Sequence, residues 1–142
     1  RRLLDEAERR ALELDGTRTG KLAPVRRDGA PHVTPVWFVF DAAGRNVFTT
    51  ATTTVKGRNH RRDPRASLCV DDERPPFAFV RIDGEVVLDE DMDEMRRWAT
   101  AIGGRYMGPD RAAEFGRRNA VEGETLVRLT PTHVVARGGV SD

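Results

Sequence analysis

The sequence predicts a mostly β domain, an antiparallel barrel of short strands with helices at its periphery. Three observations lead there. Runs rich in β-branched and aromatic residues recur over 22–26, 32–40, 47–50, 66–70, 77–88 and 125–137, and most of them are joined by turn residues instead of the helical crossovers that parallel strands need. Arg27-Asp28-Gly29-Ala30 puts Asp-Gly at the centre of a tight turn, the signature of a hairpin. No repeat and no low-complexity linker interrupts the 142 residues, so residues 1–142 are read as one domain.

Taken in order, Leu3, Leu4, Ala7, Ala11 and Leu14 fall at helical spacing with charged residues between them. The chain should therefore open with an amphipathic helix lying across an open end of the sheet. Strand 32–40 is apolar on both faces, with Val36, Phe38 and Phe40 on one and Trp37 and Val39 on the other. One face of a small barrel fills its interior; the other calls for a cover, which a second subunit would supply. After strand 47–50 the period changes, and a short helix over 55–63 runs up to Pro64, which ends it. Strand 66–70, a polar loop over 71–76 and a long strand or hairpin over 77–88 follow, with Asp83-Gly84 marking a bulge. The acidic stretch 89–94 enters a helix carrying Met92, Met95, Trp98, Ala99 and Ile102, which Gly103-Gly104 should break. Pro109 opens another short helix over 110–119, and the last strand covers 125–129 and resumes after Pro131 as 133–137.

Composition narrows the function classes. A formal net charge of +1 argues against a general polyanion binder, so any basic region must act locally. The basic run 58–65 contains no aromatic platform besides His60, which argues against a nucleic-acid module. Cys69 is the single cysteine; it excludes an intrachain disulfide and reads as a small buried thiol within an apolar strand. His32, His60 and His133 are far apart and form no ligand pair, so no metal site is expected. No stretch reaches membrane-spanning length and no signal peptide is visible, which makes the cytoplasm the expected location.

The stretch 48–65 says most about chemistry. Thr49, Thr50, Thr52, Thr53 and Thr54 surround Ala51, and Lys56 and Arg58 follow directly. Hydroxyl donors, amide groups at a helix start and a cation within a few residues make an anion site, and a phosphate is the expected guest. The alternative these residues leave open is a plain strand, with Thr54 as a helix cap and the arginines on a solvated face. There is no Gly-x-Gly-x-x-Gly and no Gly-x-x-x-x-Gly-Lys, and no nucleophile–base arrangement can be read from spacing. An enzyme built on this chain would therefore rely on a bound cofactor. Tyr106, beside Arg105, is a weak candidate for a proton donor, against the equally good reading of a tyrosine anchoring a helix end.

Residues 26–38, Arg-Arg-Asp-Gly-Ala-Pro-His-Val-Thr-Pro-Val-Trp-Phe, resemble the opening hairpin of the split-barrel flavin-binding superfamily typified by pyridoxamine 5′-phosphate oxidase. Phe48-Thr49-Thr50, Thr54-Val55-Lys56-Gly57-Arg58-Asn59 and Arg61-Arg62-Asp63-Pro64-Arg65 resemble its deazaflavin branch, whose usual cofactor is coenzyme F420. The similarity runs from about residue 21 to residue 137. It implies a six-stranded antiparallel split β-barrel (the FMN-binding split barrel), homodimeric, with the cofactor at the interface. It further implies an F420-dependent oxidoreductase that passes a hydride to an unsaturated or quinone-like organic acceptor. Carried over by matching motifs, Thr34, Pro35, Val36 and Trp37 would line the ring, Thr49, Thr50 and Thr54 would supply donors, and Lys56 with Asn59 would hold the phosphate. Arg58 and Arg62 would meet the acidic tail of the cofactor or face solvent, and Phe77, Phe79 and Arg81 belong to a strand that approaches the partner's site in relatives. The alternatives are an FMN-binding oxidoreductase and a non-catalytic F420 carrier or sensor. The chain ends without the tryptophan and arginine with which the oxidase grips pyridoxamine phosphate, so vitamin B6 oxidation is not expected.

Overall fold

The computed structural model describes every residue except Thr53, and at Val55 and Lys56 the backbone alone. The described residues form strands β1 (Arg2–Leu3), β2 (Gly20–Pro24), β3 (Thr34–Val36), β4 (Val39–Phe40), β5 (Asn46–Ala51), β6 (Arg65–Asp72), β7 (Ala78–Asp89) and β8 (Glu124–Gly138). Helices α1 (Glu6–Leu14), α2 (Val55–Arg62), α3 (Met92–Met107) and α4 (Ala112–Asn119) lie between them. The strands make one sheet in the order β3-β2-β6-β7-β8-β5-β4, with β1 paired to β8, and every pairing is antiparallel. The two outermost strands of that order, β3 and β4, are consecutive in the chain and only Trp37 and Phe38 separate them. The sheet therefore curls back on itself into a barrel that stays split at those two residues. Phe38, Phe48, Leu22, Leu68 and Leu129 are fully buried inside it.

This is the mostly β antiparallel barrel that the pattern predicts and the split barrel that the resemblance implies, with eight strands among the described residues in place of six. The difference has two sources. The predicted strand 32–40 is two strands, because barrel closure breaks it at Trp37–Phe38 although its side chains suit a strand throughout. Leu3, expected in the first helix, instead lies in β1, where Arg2 and Leu3 pair with Gly138 and Arg137. That helix begins later, behind a capping box of Asp5 and Glu8, and the side chains it buries are Leu12 and Glu13, whereas Leu3 and Leu14 stay exposed.

The expected break at Gly103-Gly104 does not occur. The helix continues to Met107 because the bare backbone there is what lets α4 approach: a Cβ at Gly103 would lie 2.5 Å from Phe115 Cβ, and one at Gly116 2.0 Å from Thr100 Oγ1. Close packing outweighs the roughly 1 kcal/mol that a mid-helix glycine costs. The bulge expected at Asp83-Gly84 is present as a register shift: Asp83 faces His133 and Gly84 faces Pro131, leaving Thr132 unpaired on β8. Pro131 is tolerated in a long strand because it sits at that irregularity. The cover expected from a second subunit also has an internal source, since Val39 packs with Met95, Ala120 and Trp98 of the helical layer.

Candidate functional site

The threonine-rich end of β5 leads directly into α2. Thr54 is the N-cap: its Oγ1 accepts from Gly57 N at 3.1 Å and donates to Ala51 O at 2.7 Å. With that proton committed, the 3.2 Å contact between the Thr50 and Thr54 hydroxyls is one in which Thr50 donates. Thr50 is buried and Thr49 half-buried. Two of the predicted donor threonines are thus part of the machinery that starts the helix, and they place it. Gly57 is required at its position, because a Cβ there would come within 2.2 Å of Ala51 O.

One turn further, Asn59 is 4% exposed and its amide is fixed in orientation. Arg62 Nη1 donates to Asn59 Oδ1 at 3.1 Å, so the buried Nδ2 is the donor left over, and no described group accepts from it. Arg62 also donates to Val25 O, which ties α2 to the end of the first hairpin. Arg27, from that hairpin, joins Arg58, Asn59 and Arg62 around a cleft of about 510 Å³. Three guanidiniums and a buried amide donor, with no carboxylate among these four, make a site for an anion. Asp28 stands nearby, its carboxylate held below the ordinary range by the Ala30 backbone amide and by Arg26 and Arg62. The Lys56 side chain, predicted to hold the phosphate, lies outside the described residues. The sequence places Arg27 only in a turn, and nothing local in it announces that the hairpin folds over α2.

The predicted ring-lining residues sit on and after the edge strand β3. Thr34 pairs with Leu22, Pro35 with Lys21 and Val36 with Gly20. Val36 turns into the core, so its backbone alone faces outward, while Pro35 is exposed and Trp37 is 38% exposed. Trp37 stacks on Tyr106 with ring centroids 5.0 Å apart and planes 5° from parallel, and Phe115 meets it at 5.9 Å.

Arg105 and Tyr106 close the split. The Tyr106 hydroxyl accepts from Phe38 N at 3.1 Å and donates to Arg18 O at 2.8 Å. Arg105 donates to Phe38 O at 2.6 Å and to Glu13 O at 2.7 Å, with longer bonds to Gly16 O and Arg18 O. Both polar groups of the Phe38 peptide, orphaned where β3 passes into β4, are therefore satisfied from α3. Burial pushes the Tyr106 phenol up, against the pull of the Phe38 amide and Arg105. Through its two hydroxyl bonds Tyr106 anchors the end of α3. Phe79 and Arg81 lie on the outer face of β7, and Phe77 precedes it with φ at 63° and its ring partly exposed. Among the described residues no three His, Cys, Asp or Glu side chains converge on a point.

Residues 4–137 match the family described as pyridoxamine 5′-phosphate oxidase. No curated protein matches the sequence. Among solved structures, the conserved hypothetical protein Rv2991 from Mycobacterium tuberculosis superposes with a TM-score of 0.86 over 98% of this chain and 88% of that one, at 24% identity. An F420 reductase superposes with a TM-score of 0.68 over 87% of this chain and 94% of that one, at 25% identity. The haem storage protein HutZ from Vibrio cholerae does so with a TM-score of 0.73 over 96% and 98%, at 18% identity.

Proposed function

The chain belongs to the pyridoxamine 5′-phosphate oxidase family, and from that premise we propose that it is an oxidoreductase which binds reduced coenzyme F420 and delivers a hydride to an unsaturated or quinone-like organic acceptor. The observation that carries the reading is Asn59, a buried amide turned by Arg62 so that its N–H has no acceptor of its own in a cleft of three arginines. A buried donor without a partner costs about 1–3 kcal/mol, and a phosphate oxygen arriving there removes that cost. Thr50 and Thr54 set the start of α2 beside it, Thr49 would add a donor from β5, Lys56 adds a cation by sequence position, and Arg58 and Arg62 serve the remaining anionic groups. Thr34, Pro35, Val36 and Trp37 would line the ring. When bound, the deazaflavin supplies a carbon-centred hydride donor that reacts little with oxygen. The similarity to an F420 reductase supports this choice over FMN.

The described cleft residues include no carboxylic acid and no histidine, which favours as a second reading a non-catalytic F420 carrier or sensor. We place the protein in the cytoplasm as a homodimer acting on a small molecule; no helix among the described residues is long and apolar enough to cross a membrane. Titration of the purified protein with F420, FMN and haem tests the reading, with F420 expected to bind most tightly. Asn59→Ala removes a hydrogen bond to a charged group, worth roughly 1.5–3 kcal/mol, and should weaken F420 about ten- to a hundredfold. Tighter binding of FMN, or unchanged F420 affinity in the variant, defeats the assignment; tight F420 binding with no turnover of any quinone or enone acceptor selects the carrier.

A further inference from the structure

At the end of β5 remote from α2, helix α1 covers the barrel, and among the side chains it buries there is a carboxylic acid, Glu13, only 4% exposed. Its Oε1 accepts from Asn46 Nδ2 at 3.1 Å, and Asn46 is itself 1% exposed. Arg10 is engaged elsewhere, 4.0 Å from Glu6 and with its guanidinium 4.5 Å from the centre of the Phe40 ring. A cavity of about 50 Å³ lies against the carboxyl, between α1 and the barrel residues Phe40, Ile82, Pro131 and Val134. The Glu13 carbonyl accepts from Arg105, and the same guanidinium holds Phe38 O beside the exposed Trp37.

We propose that Glu13 is a proton-operated latch: neutral, it lets α1 dock on the barrel end, and ionised, it loosens α1 and, through Arg105, relaxes the Trp37–Phe38 split. A carboxylate at that place has one neutral donor, a cavity too small for a full hydration shell, and apolar walls on the barrel side. Burial pushes the acid up to about 7, against the pull of the Asn46 hydrogen bond and of Arg10, Arg9 and Arg105. The charged groups that face it are Glu6, Arg9 and Arg10 from α1 and Arg105 from α3; β4, β7 and β8 present only apolar side chains to the cavity and β5 the Asn46 amide. On ionisation the proton leaves to solvent, and the carboxylate is drawn outward to water and the α1 arginines. The latch stands whichever cofactor the remote cleft holds.

The test follows Trp37 fluorescence from pH 5.5 to 8.5 in a Trp98→Phe background, together with hydrogen exchange of α1 amides corrected for the intrinsic pH dependence. One inflection near neutrality is expected, with α1 protection falling about tenfold from pH 6 to pH 8. Both should vanish in Glu13→Gln, which keeps His32, His60 and His133 and so controls for their titration. Arg10→Gln removes a cation that favours the ionised form and should move the inflection to higher pH. An inflection that survives Glu13→Gln, or α1 protection that stays level in the unsubstituted chain, overturns the latch. Should Glu13→Gln not fold, the Arg10→Gln shift decides: an upward move supports the latch, and no move or a downward one refutes it.

Discussion

Tyr106 and Glu13 are polar side chains in buried surroundings, and they stand in opposite thermodynamic positions. The Tyr106 hydroxyl completes two backbone groups at the split. Tyr106→Phe keeps the ring under Trp37 but strips both partners, and loss of about 1–3 kcal/mol is expected in urea unfolding. A phenol needed only as a proton donor would leave stability untouched. Glu13 costs stability where the chain must ionise it. Its acid lies near 7 in the fold against 4.5 ordinarily, so between those values the folded chain holds a proton that the unfolded chain has released. Stability should therefore fall as pH rises through that window and level off above pH 7, with a ceiling of about 3 kcal/mol. Glu13→Gln should flatten the profile and overtake the unsubstituted protein at pH 8. Unfolding curves at pH 5, 6.5 and 8 check the sign: parallel profiles for the two proteins would show that the carboxyl ionises without penalty.

Among the elements, α2 was the most legible and the split the least. The strand-to-helix change after β5 is written locally, in a threonine cap and in a proline after the last turn, and the helix predicted over 55–63 is found as Val55–Arg62. Its consequence was not legible, because the cleft needs Arg27 from a hairpin whose fold-over is a tertiary event. The split at Trp37–Phe38 was hidden for the same reason: every residue there favours a strand, and the groups that hold the break open come from residues 105 and 106. Gly103-Gly104 misled because a propensity against helix was overridden by the contact it permits. Gly57 offers the corresponding test on α2. A methyl there meets the Ala51 carbonyl, part of the backbone that cannot swing aside, so Gly57→Ala should push the helix start away from β5. Anion affinity should drop at least tenfold while the barrel keeps most of its stability, since among the described residues the α2 side chain packed on its core is His60, against Phe48. Unchanged affinity for F420 in that variant would separate the anion site from the helix start.

At the scale of the whole molecule, the apolar surplus of strand 32–40 that predicted a partner subunit is only partly covered by the chain itself, since Val33 and Trp37 stay exposed. Val39 is covered by the chain's own helices, and on the outer face of β2, β6 and β7 the side chains of Lys21, Asp71, Arg81 and Asp83 stay partly exposed. Its register places Lys21 beside Cys69, Cys69 beside Arg81 and Arg81 beside Val135, with Ala23, Ser67 and Phe79 in the flanking rows. Lys21, Ala23, Ser67, Cys69, Phe79 and Val135 are half-buried there, with the Lys21–Asp71 and Arg81–Asp83 ion pairs among them, and such a mixed face can meet its own copy about a two-fold axis. Pro35 and the exposed Trp37 lie at its β3 margin, so the same contact would bring a second chain against the residues proposed to line the ring. The expected species is thus a dimer burying roughly 800 Å² on each chain. Cys69→Arg sets a long cation at the centre of that face, next to Lys21 and Arg81, where repulsion and bulk act together. Light scattering should show the variant as a monomer with the circular dichroism of the parent, and its F420 affinity should fall because the ring would lose one wall. A parent protein that is monomeric at micromolar concentration and still binds F420 at full strength would mean that a single chain completes the site, and the outer face would then need a different explanation.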